Sequence, residues 1–364
     1  MANSNPYEVW DTRKSLGVFR DLKPTPSYWR QFFPNSITST DEWIDFEKLP
    51  AQVRKLAPFV RPLGAGKPIY QDSSTGFRFK PAYIKVKDAI DPLAPLVKRP
   101  GVDRSMLNEA DLTPMQRREL LRLAMTQQHV ASIERRWEWM CARAIIDGKV
   151  TIEGEEYPAV ELDFRRASNH TIVKSTQGTY WGDEGVSIFD ELQTWIDRMF
   201  NAPFGGFPTR LTIGSKVWKV FRKDPEIQKH MDMTVREPRA TVERGLISPE
   251  KVVKVGELIV GGSSGAAIEV YLYSDTYVDE KGVERPFLEP TDIVLTASPD
   301  QIMGYQCFGA IIDPYSRYQA MPIFPRNWIE QGDPAVEYMM HQSAPLMVPV
   351  NPNATLKATV VPSN

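Results

Sequence analysis

TPMQRRELLRLAMTQQHVASIERRWEWMCARAIIDG, residues 113–148, is the stretch on which the fold class turns. Thr113 reads as a helix N-cap, Pro114 suits the first helical position, and Gln116 completes a capping box. The run inside holds no Gly or further Pro and many strong helix formers. Asp147-Gly148 is the stop, with glycine where the chain leaves the helix. About 34 residues at ~1.5 Å each make a rod of roughly 50 Å. A typical globular helix has about three turns. The pattern predicts an apolar side around Leu120, Leu123, Met140 and Ala144. It predicts a solvated side from Arg117, Arg118, Arg122, Arg135 and Arg136. No clean heptad persists, which argues against a coiled coil.

Downstream of the rod the sequence alternates short strands and helices. KVTIEGEEYPAVELDF reads as a hairpin turning at EGEE, and residues 169–186 as a polar loop. SIFDELQTWIDRMFNA is an amphipathic helix capped by Ser187. RLTIG is a strand and SKVWKVFRK a short helix. VVKVGELIVGG, AAIEVYLYSDTYV and DIVLTAS read as strands, as do 302–312, 335–350 and the ATLKATVV segment. The class is α+β with much antiparallel pairing.

Upstream, residues 1–50 form an irregular arm rich in aromatics: Tyr7, Trp10, Phe19, Tyr28, Trp29, Phe32, Phe33 and Trp43. Such an arm is expected to pack on something, a neighbouring subunit being one option. Residues 51–98 predict a long two-stranded excursion, with VRKLAPFVRPL and GFRFKPAYIKVKDAI as strands and GAGKPIYQDSST between them. Between 54 and 87 there are eight bases (Arg54, Lys55, Arg61, Lys67, Arg78, Lys80, Lys85, Lys87) and one acid, Asp72, a net of +7. A lone hairpin is marginal in water, and this one repels itself, so an acidic partner surface is expected. Residues 243–300, with eleven acids against five bases, are the candidate. The competing reading is a solvated charged face.

Composition narrows the function classes. The chain has 364 residues, 42% hydrophobic and 25% charged, with a formal net charge of −2. That is a globular composition without the basic excess of a dedicated nucleic-acid binder. Thirty prolines exceed the usual ~5% and suit extended arms and edge strands. Two separated cysteines, Cys141 and Cys307, form no CxxC pair, which points to folding in a reducing compartment. No secretory signal and no run of about 18 apolar residues is present, so no membrane partner is expected.

A search for chemistry returns nothing specific. His129, His170, His230 and His341 share no metal-ligand spacing, so neither a metal nor a cofactor is expected. Gly261-Gly262-Ser263-Ser264-Gly265 matches GxSxG. A nucleophile elbow needs strand, turn and helix, yet AAIEVYLYSD after it reads as a strand. A tight hairpin is the better reading, and a Ser263 hydrolase the weaker. GAGKP at 64–68 is too short for a phosphate-binding P-loop. No catalytic residue is assigned, and assembly is favoured over enzymology.

The order of parts resembles the Hong Kong 97 type of shell subunit: arm, basic hairpin, long helix, short hairpin, mixed domain, terminal strands. Within that type, the chain resembles the lambda-like family of tailed-bacteriophage major capsid proteins. The match rests first on Asn327-Trp328, Gly332-Asp333-Pro334, Glu337 and Gln342-Ser343-Ala344-Pro345-Leu346-Met347. It rests next on Phe79, Pro81, Tyr83, Lys85, Lys87 and Pro92. After the helix come Gly148-Lys149, Thr151, Gly154-Glu155, Val160-Glu161 and Asp163, and upstream Phe32-Phe33.

The resemblance implies an N-terminal arm at 1–48 and an extended loop at 49–98. It implies a peripheral domain at 99–185 and 335–353, and an axial domain at 186–334 and 354–364. It implies hexamers and pentamers closing an icosahedral shell around double-stranded DNA that the inner wall contacts weakly. Arg61, Lys67, Arg78, Lys80, Lys85 and Lys87 would be inter-subunit contacts of the loop. Scaffolding, portal and decoration proteins are the implied partners, the scaffold separate because no helical prodomain precedes the fold. The implied location is the virion, after assembly in the host cytoplasm. Some relatives weld loop lysines to neighbouring asparagines. Asn351 and Asn353 are available, but no crosslinking triad aligns, and none is expected. A cellular nanocompartment shell of the same fold is the alternative.

Overall fold

The computed structural model describes residues 15–17, 27–41, 43–48, 75–96, 113–154, 157–232, 251–259, 267–332 and 334–362. The long helix runs Pro114–Ile146 and starts as its sequence dictates. The Gln116 amide donates to Thr113 Oγ1 at 3.3 Å, and the Thr113 amide donates to Gln116 Oε1 at 2.9 Å. At the far end Gly148 has φ +70°, and a Cβ there would lie 2.9 Å from the Arg166 side chain. Only glycine fits that turn.

Two three-stranded sheets lie along this helix. In one, Val336–Ser343 is central, flanked antiparallel by Phe324–Glu330 and Ile84–Ile90. In the other, Gly304–Phe308 is central, parallel to Asn35–Thr38 and antiparallel to Pro345–Pro349. Trp29, Phe32, Phe33, Ile133, Trp137, Cys307, Phe308 and Leu346 share the resulting core. The arm's aromatics at 28–33 therefore pack on this chain's own helix and sheets. No neighbouring subunit is needed to bury them, which corrects that option.

A seven-stranded mixed sheet forms the second half. Its order is Thr171–Val173, Thr355–Thr359, Asp292–Ala297, Pro208–Ile213, Ala267–Tyr273, Val252–Ile259 and Met231–Asp232. Helices Ile188–Asn201, Ser215–Phe221 and Pro225–His230 pack with it around Leu192, Trp195, Leu211, Phe221 and Leu295. Ser187 caps the first of these through the Asp190 amide, as its sequence predicts. Lys357 ties the halves together, its Nζ lying 3.0 Å from Asp147 at the end of the long helix and 3.1 Å from Asp292 in the sheet.

Several sequence readings change. GFRFKPAYIKVKDAI is two strands, broken at Lys80-Pro81. Thr75–Phe79 pairs with Ile44–Lys48, whereas Ile84–Ile90 pairs with Val336–Ser343. Proline removes the donor a continuous ladder needs there. Residues 335–350 are likewise two strands divided at Ala344, and of 302–312 only Gly304–Phe308 is strand. VRKLAPFVRPL, GAGKP and Ser263 lie outside the described residues. Ala267–Tyr273, after the GxSxG match, is a strand antiparallel to Val252–Ile259, the context of a hairpin and not of an elbow.

The faces of the long helix also differ from expectation. Arg122 is 2% exposed, while Leu120 is 44% exposed. Arg122 is drawn inward by Glu337: Arg122 Nε and Arg118 Nε donate to its two carboxylate oxygens at 2.8 and 2.9 Å. Glu119 takes another Arg122 nitrogen at 2.6 Å. Charge pairing across 215 residues thus overrides the apolar pattern of the first turns.

Candidate assembly surface

The described residues hold no group of three or more His, Cys, Asp or Glu side chains arranged to bind a metal. What the chain presents to a partner is surface, and it begins with the arm. The Glu138 carboxylate, buried on the helix, accepts the backbone N–H groups of Tyr28 (2.8 Å), Trp29 (2.6 Å) and Arg30 (3.0 Å). Burial pushes the Glu138 carboxyl above its ordinary range, while the three donors pull the other way. The Tyr28 hydroxyl also meets Thr212 Oγ1 at 2.7 Å. One charge-assisted clamp thereby fixes the backbone of residues 28–30 on the long helix.

Of the six loop cations, Arg61 and Lys67 lie outside the described residues. Arg78 and Lys80 are exposed at the end of the strand paired with Ile44–Lys48. Lys85 and Lys87 are exposed on Ile84–Ile90, where they share the outward face with Tyr338 and Met340. Lys87 Nζ sits 4.1 Å from the Tyr338 ring centroid and 5.3 Å from that of Trp328, and Lys85 Nζ 5.1 Å from that of Tyr83. Trp328 and Tyr338 stack at 5.5 Å, and Arg326 lies 5.4 Å from Trp328. The structure therefore brings Lys85 and Lys87 into a cation–aromatic face and leaves Arg78 and Lys80 on a separate hairpin. Sequence reasoning found the lysines but missed Trp328 and Tyr338 as their platform. The signal available was the alternation of large side chains in both strands.

The acidic stretch is largely spent inside the chain. Lys254 binds Glu257 at 2.8 Å and Glu269 at 2.6 Å; Arg135 binds Asp275 at 2.6 Å; Arg136 binds Glu280 at 2.7 Å; Arg285 binds Asp279 at 2.8 Å. Glu284, Glu289 and Asp300 are exposed and without an ion pair among the described residues. The net charge of 243–300 therefore overstates the acid open to a partner.

A spine helix carrying two small sheets, joined to a seven-stranded domain and crossed by its own N-terminal arm, is the architecture of a Hong Kong 97-type shell subunit. The comparisons agree. The family model for phage major capsid protein E matches residues 12–360, and the chain belongs to that family. The major capsid protein of Escherichia phage lambda is 28% identical over 335 residues, 91% of this chain and 93% of that protein. That of Escherichia phage N15 is 27% identical over 349 residues, 95% and 97% of the two chains. In fold, the crystal structure of a prophage capsid protein from Escherichia coli CFT073 superposes with a TM-score of 0.69 at 23% identity, covering 97% of this chain and 99% of that one. The chain is a major capsid protein of the lambda-like kind.

Proposed function

We propose that copies of this chain form hexamers and pentamers that close into an icosahedral head around packaged double-stranded DNA, and that it does no catalysis. The observation that carries this reading is the match to the capsid family along residues 12–360. In this reading the two small sheets and the long helix make the peripheral domain, and the seven-stranded sheet makes the axial domain. The expected ranges then shift. Gly304–Phe308 and Phe324–Glu330, expected within axial 186–334, pair with strands of the small sheets, and Thr171–Val173, expected within peripheral 99–185, pairs with Thr355–Thr359 of the seven-stranded sheet. The extended loop reaches over a neighbour, Lys85 and Lys87 anchoring its base. A scaffolding protein, a portal protein and a decoration protein complete the assembly, which takes place in the host cytoplasm. The modest net charge suits a wall that encloses DNA without gripping it, since each phosphate contact adds salt-dependent affinity. The phage reading is preferred to a cellular nanocompartment because the family match is to phage capsid proteins.

Electron microscopy of the full chain, alone and co-expressed with the other head proteins, tests this. Closed shells or rings of five and six are expected, and a persistent monomer under all conditions would overturn the reading. In the same assay Lys85→Glu with Lys87→Glu should reduce shell yield several-fold. The subunit's own stability should fall by only about 1–2 kcal/mol, through the lost cation–π contacts. Unchanged shell yield would show that these charges are merely solvated.

Mature particles should run as single-chain bands on a denaturing gel. Both ends of the Asn353 amide are engaged, accepting from the Ala167 amide at 2.8 Å and donating to the Pro203 carbonyl at 2.9 Å. Asn351 donates to the Gln301 carbonyl at 2.8 Å. Amides held this way are structural. A ladder of covalent multimers would refute the assignment.

A further inference from the structure

Two open strand edges of opposite charge stand on this subunit. The first is Ile84–Ile90, paired on one side with Val336–Ser343 and, among the described residues, with no strand on the other. Its side chains alternate. Lys85, Lys87 and Ala89 are exposed on one face, whereas Ile84 and Val86 are half-buried on the other. The second edge belongs to the hairpin that leaves the long helix. Its outer strand, Tyr157–Asp163, pairs with Lys149–Gly154 and, among the described residues, with no other strand. Pro158 within it suits an edge, where one backbone donor is dispensable. Ala159, Glu161 and Asp163 are exposed on one face of this strand, and Val160 is 39% exposed on the other, beside the buried Leu162. Residues 149–163 hold five acids against one base, a net of −4. The acidic surface that 243–300 does not offer is present here. Glu161 meets Lys149 at 3.0 Å across the hairpin, but both side chains are half-exposed, and such a pair holds its members only weakly. Asp163 accepts the Arg165 amide at 2.7 Å and keeps its charge in solvent.

Asp88 faces His129, whereas the hairpin leaves the helix after Ile146, roughly 25 Å further along it. The two edges therefore stand apart within one copy. Between copies they fit. An open edge offers unpaired backbone groups to another strand, and charge on it deters pairing with its like. Two lysine edges repel and two acidic edges repel, whereas unlike edges attract. That selects a head-to-tail contact over a symmetric one, and repetition of such a contact closes a ring when the rotation allows. Alternate side chains are about 6.8 Å apart in either strand, so the two cations match the two carboxylates in pitch. We propose that Ile84–Ile90 of one copy pairs antiparallel with Tyr157–Asp163 of the next, with Lys85 opposite Asp163, Lys87 opposite Glu161 and Ala89 opposite Ala159. On the other face this register puts Val86 opposite Leu162 and diagonal to the exposed Val160. The pairing rests on the shell-subunit reading and names the surface that Lys85 and Lys87 engage in it. Main-chain hydrogen bonds supply the attachment, and the alternating charges supply the register. An acidic strand of a different head protein on the Lys85–Lys87 edge is the competing occupant.

Charge exchange tests the pairing. Lys85→Glu with Lys87→Glu, and separately Glu161→Lys with Asp163→Lys, should each lower shell yield several-fold. The chain carrying all four substitutions should recover to within roughly twofold of wild type, because opposite charges again face each other. All four side chains are exposed, so the unassembled variants should melt close to wild type. A second measurement leaves the charges in place. Ala89→Cys and Ala159→Cys chains are co-assembled and oxidised, since directly opposite positions bring Cβ atoms within about 5 Å. The native Cys141 and Cys307 are fully buried and stay silent. A covalent dimer is expected from the mixture and from neither variant alone. Shells in which the mixture gives no dimer, or a fourfold variant no better than its parents, overturn the pairing. Yield lost in the lysine reversal and kept in the acid reversal points to the other head protein and overturns it as well. A wild-type chain that forms no shells overturns the shell reading itself, and the mixed dimer, sought then among free chains, still decides the pairing.

Discussion

Glu337→Ala should destabilise the subunit by about 3–5 kcal/mol, the usual cost of removing one partner from a buried ion pair. Glu337 is 5% exposed and Arg122 2% exposed. Arg122 reaches its carboxylate through Nε at 2.8 Å and a second nitrogen at 2.7 Å, and Arg118 through two nitrogens at 2.9 and 2.7 Å. Without Glu337 the buried Arg122 keeps Glu119, whose side chain is 44% exposed. The large cost is thus a buried charge left with a half-exposed partner, not the loss of attraction alone. The control follows from the same argument. The double variant Arg122→Met with Glu337→Met removes both desolvation penalties and should cost clearly less than Glu337→Ala. Denaturant unfolding of the three proteins measures this. A Glu337→Ala cost below about 1 kcal/mol, or a double variant worse than the single, would show that the cluster is not the lock between helix and sheet.

This cluster also shows which parts of the fold are legible in the sequence. The long helix was readable because its signals are local: Thr113, Pro114 and Gln116 at one end, Gly148 at the other. The hairpin Lys149–Gly154 with Tyr157–Asp163 and the Ser187 cap are local in the same way. The orientation of the helix was not readable. Arg118, Arg122, Thr126 and His129 follow the helical period into the interior, but polar side chains at that spacing normally mark a wet face. Their partners, Glu337 and His341, are more than 200 residues away. Arm and loop fail for the same reason. The aromatics at 28–33 carry no mark of the Glu138 that holds their backbone, and Lys85 none of the strand it pairs with. As for the candidate assembly surface, the lysines stand out as charge, whereas the Trp328–Tyr338 platform beneath Lys87 shows only in the folded chain.

The second large effect is an acid lability centred on His341. His129 Nδ1 and His341 Nδ1 lie 2.9 Å apart in the interior, and His129 Nε2 lies 2.8 Å from Asp88. In the neutral state one arrangement satisfies the three nitrogens in the chain: His341 donates to His129, and His129 donates to Asp88. A proton on each ring would set two N–H groups against each other. Burial, and then His129 opposite, hold the His341 imidazole down to about 3. An unfolded chain titrates this group near 6.5. Between those values the unfolded state binds a proton that the folded state refuses. This contribution is therefore full above about pH 6.5, falls as pH drops, and is exhausted near pH 3. The slope approaches about 1.4 kcal/mol per pH unit, a few kcal/mol over the window. Carboxylates held low by partners, such as Asp147 and Asp313, also lose stability in acid, so the comparison must be differential. His341→Gln removes the titration and keeps a polar group of similar reach. Denaturant unfolding at pH 7 and pH 4.5 should show wild type losing about 2 kcal/mol more than the variant. The strand that yields first should be Ile84–Ile90, because Asp88 is the exposed end of the chain of hydrogen bonds. Hydrogen exchange across residues 84–90 at the two pH values would show it. Parallel losses in wild type and variant would mean that the histidine pair is inert, and that acid acts through the carboxylates and the buried His170.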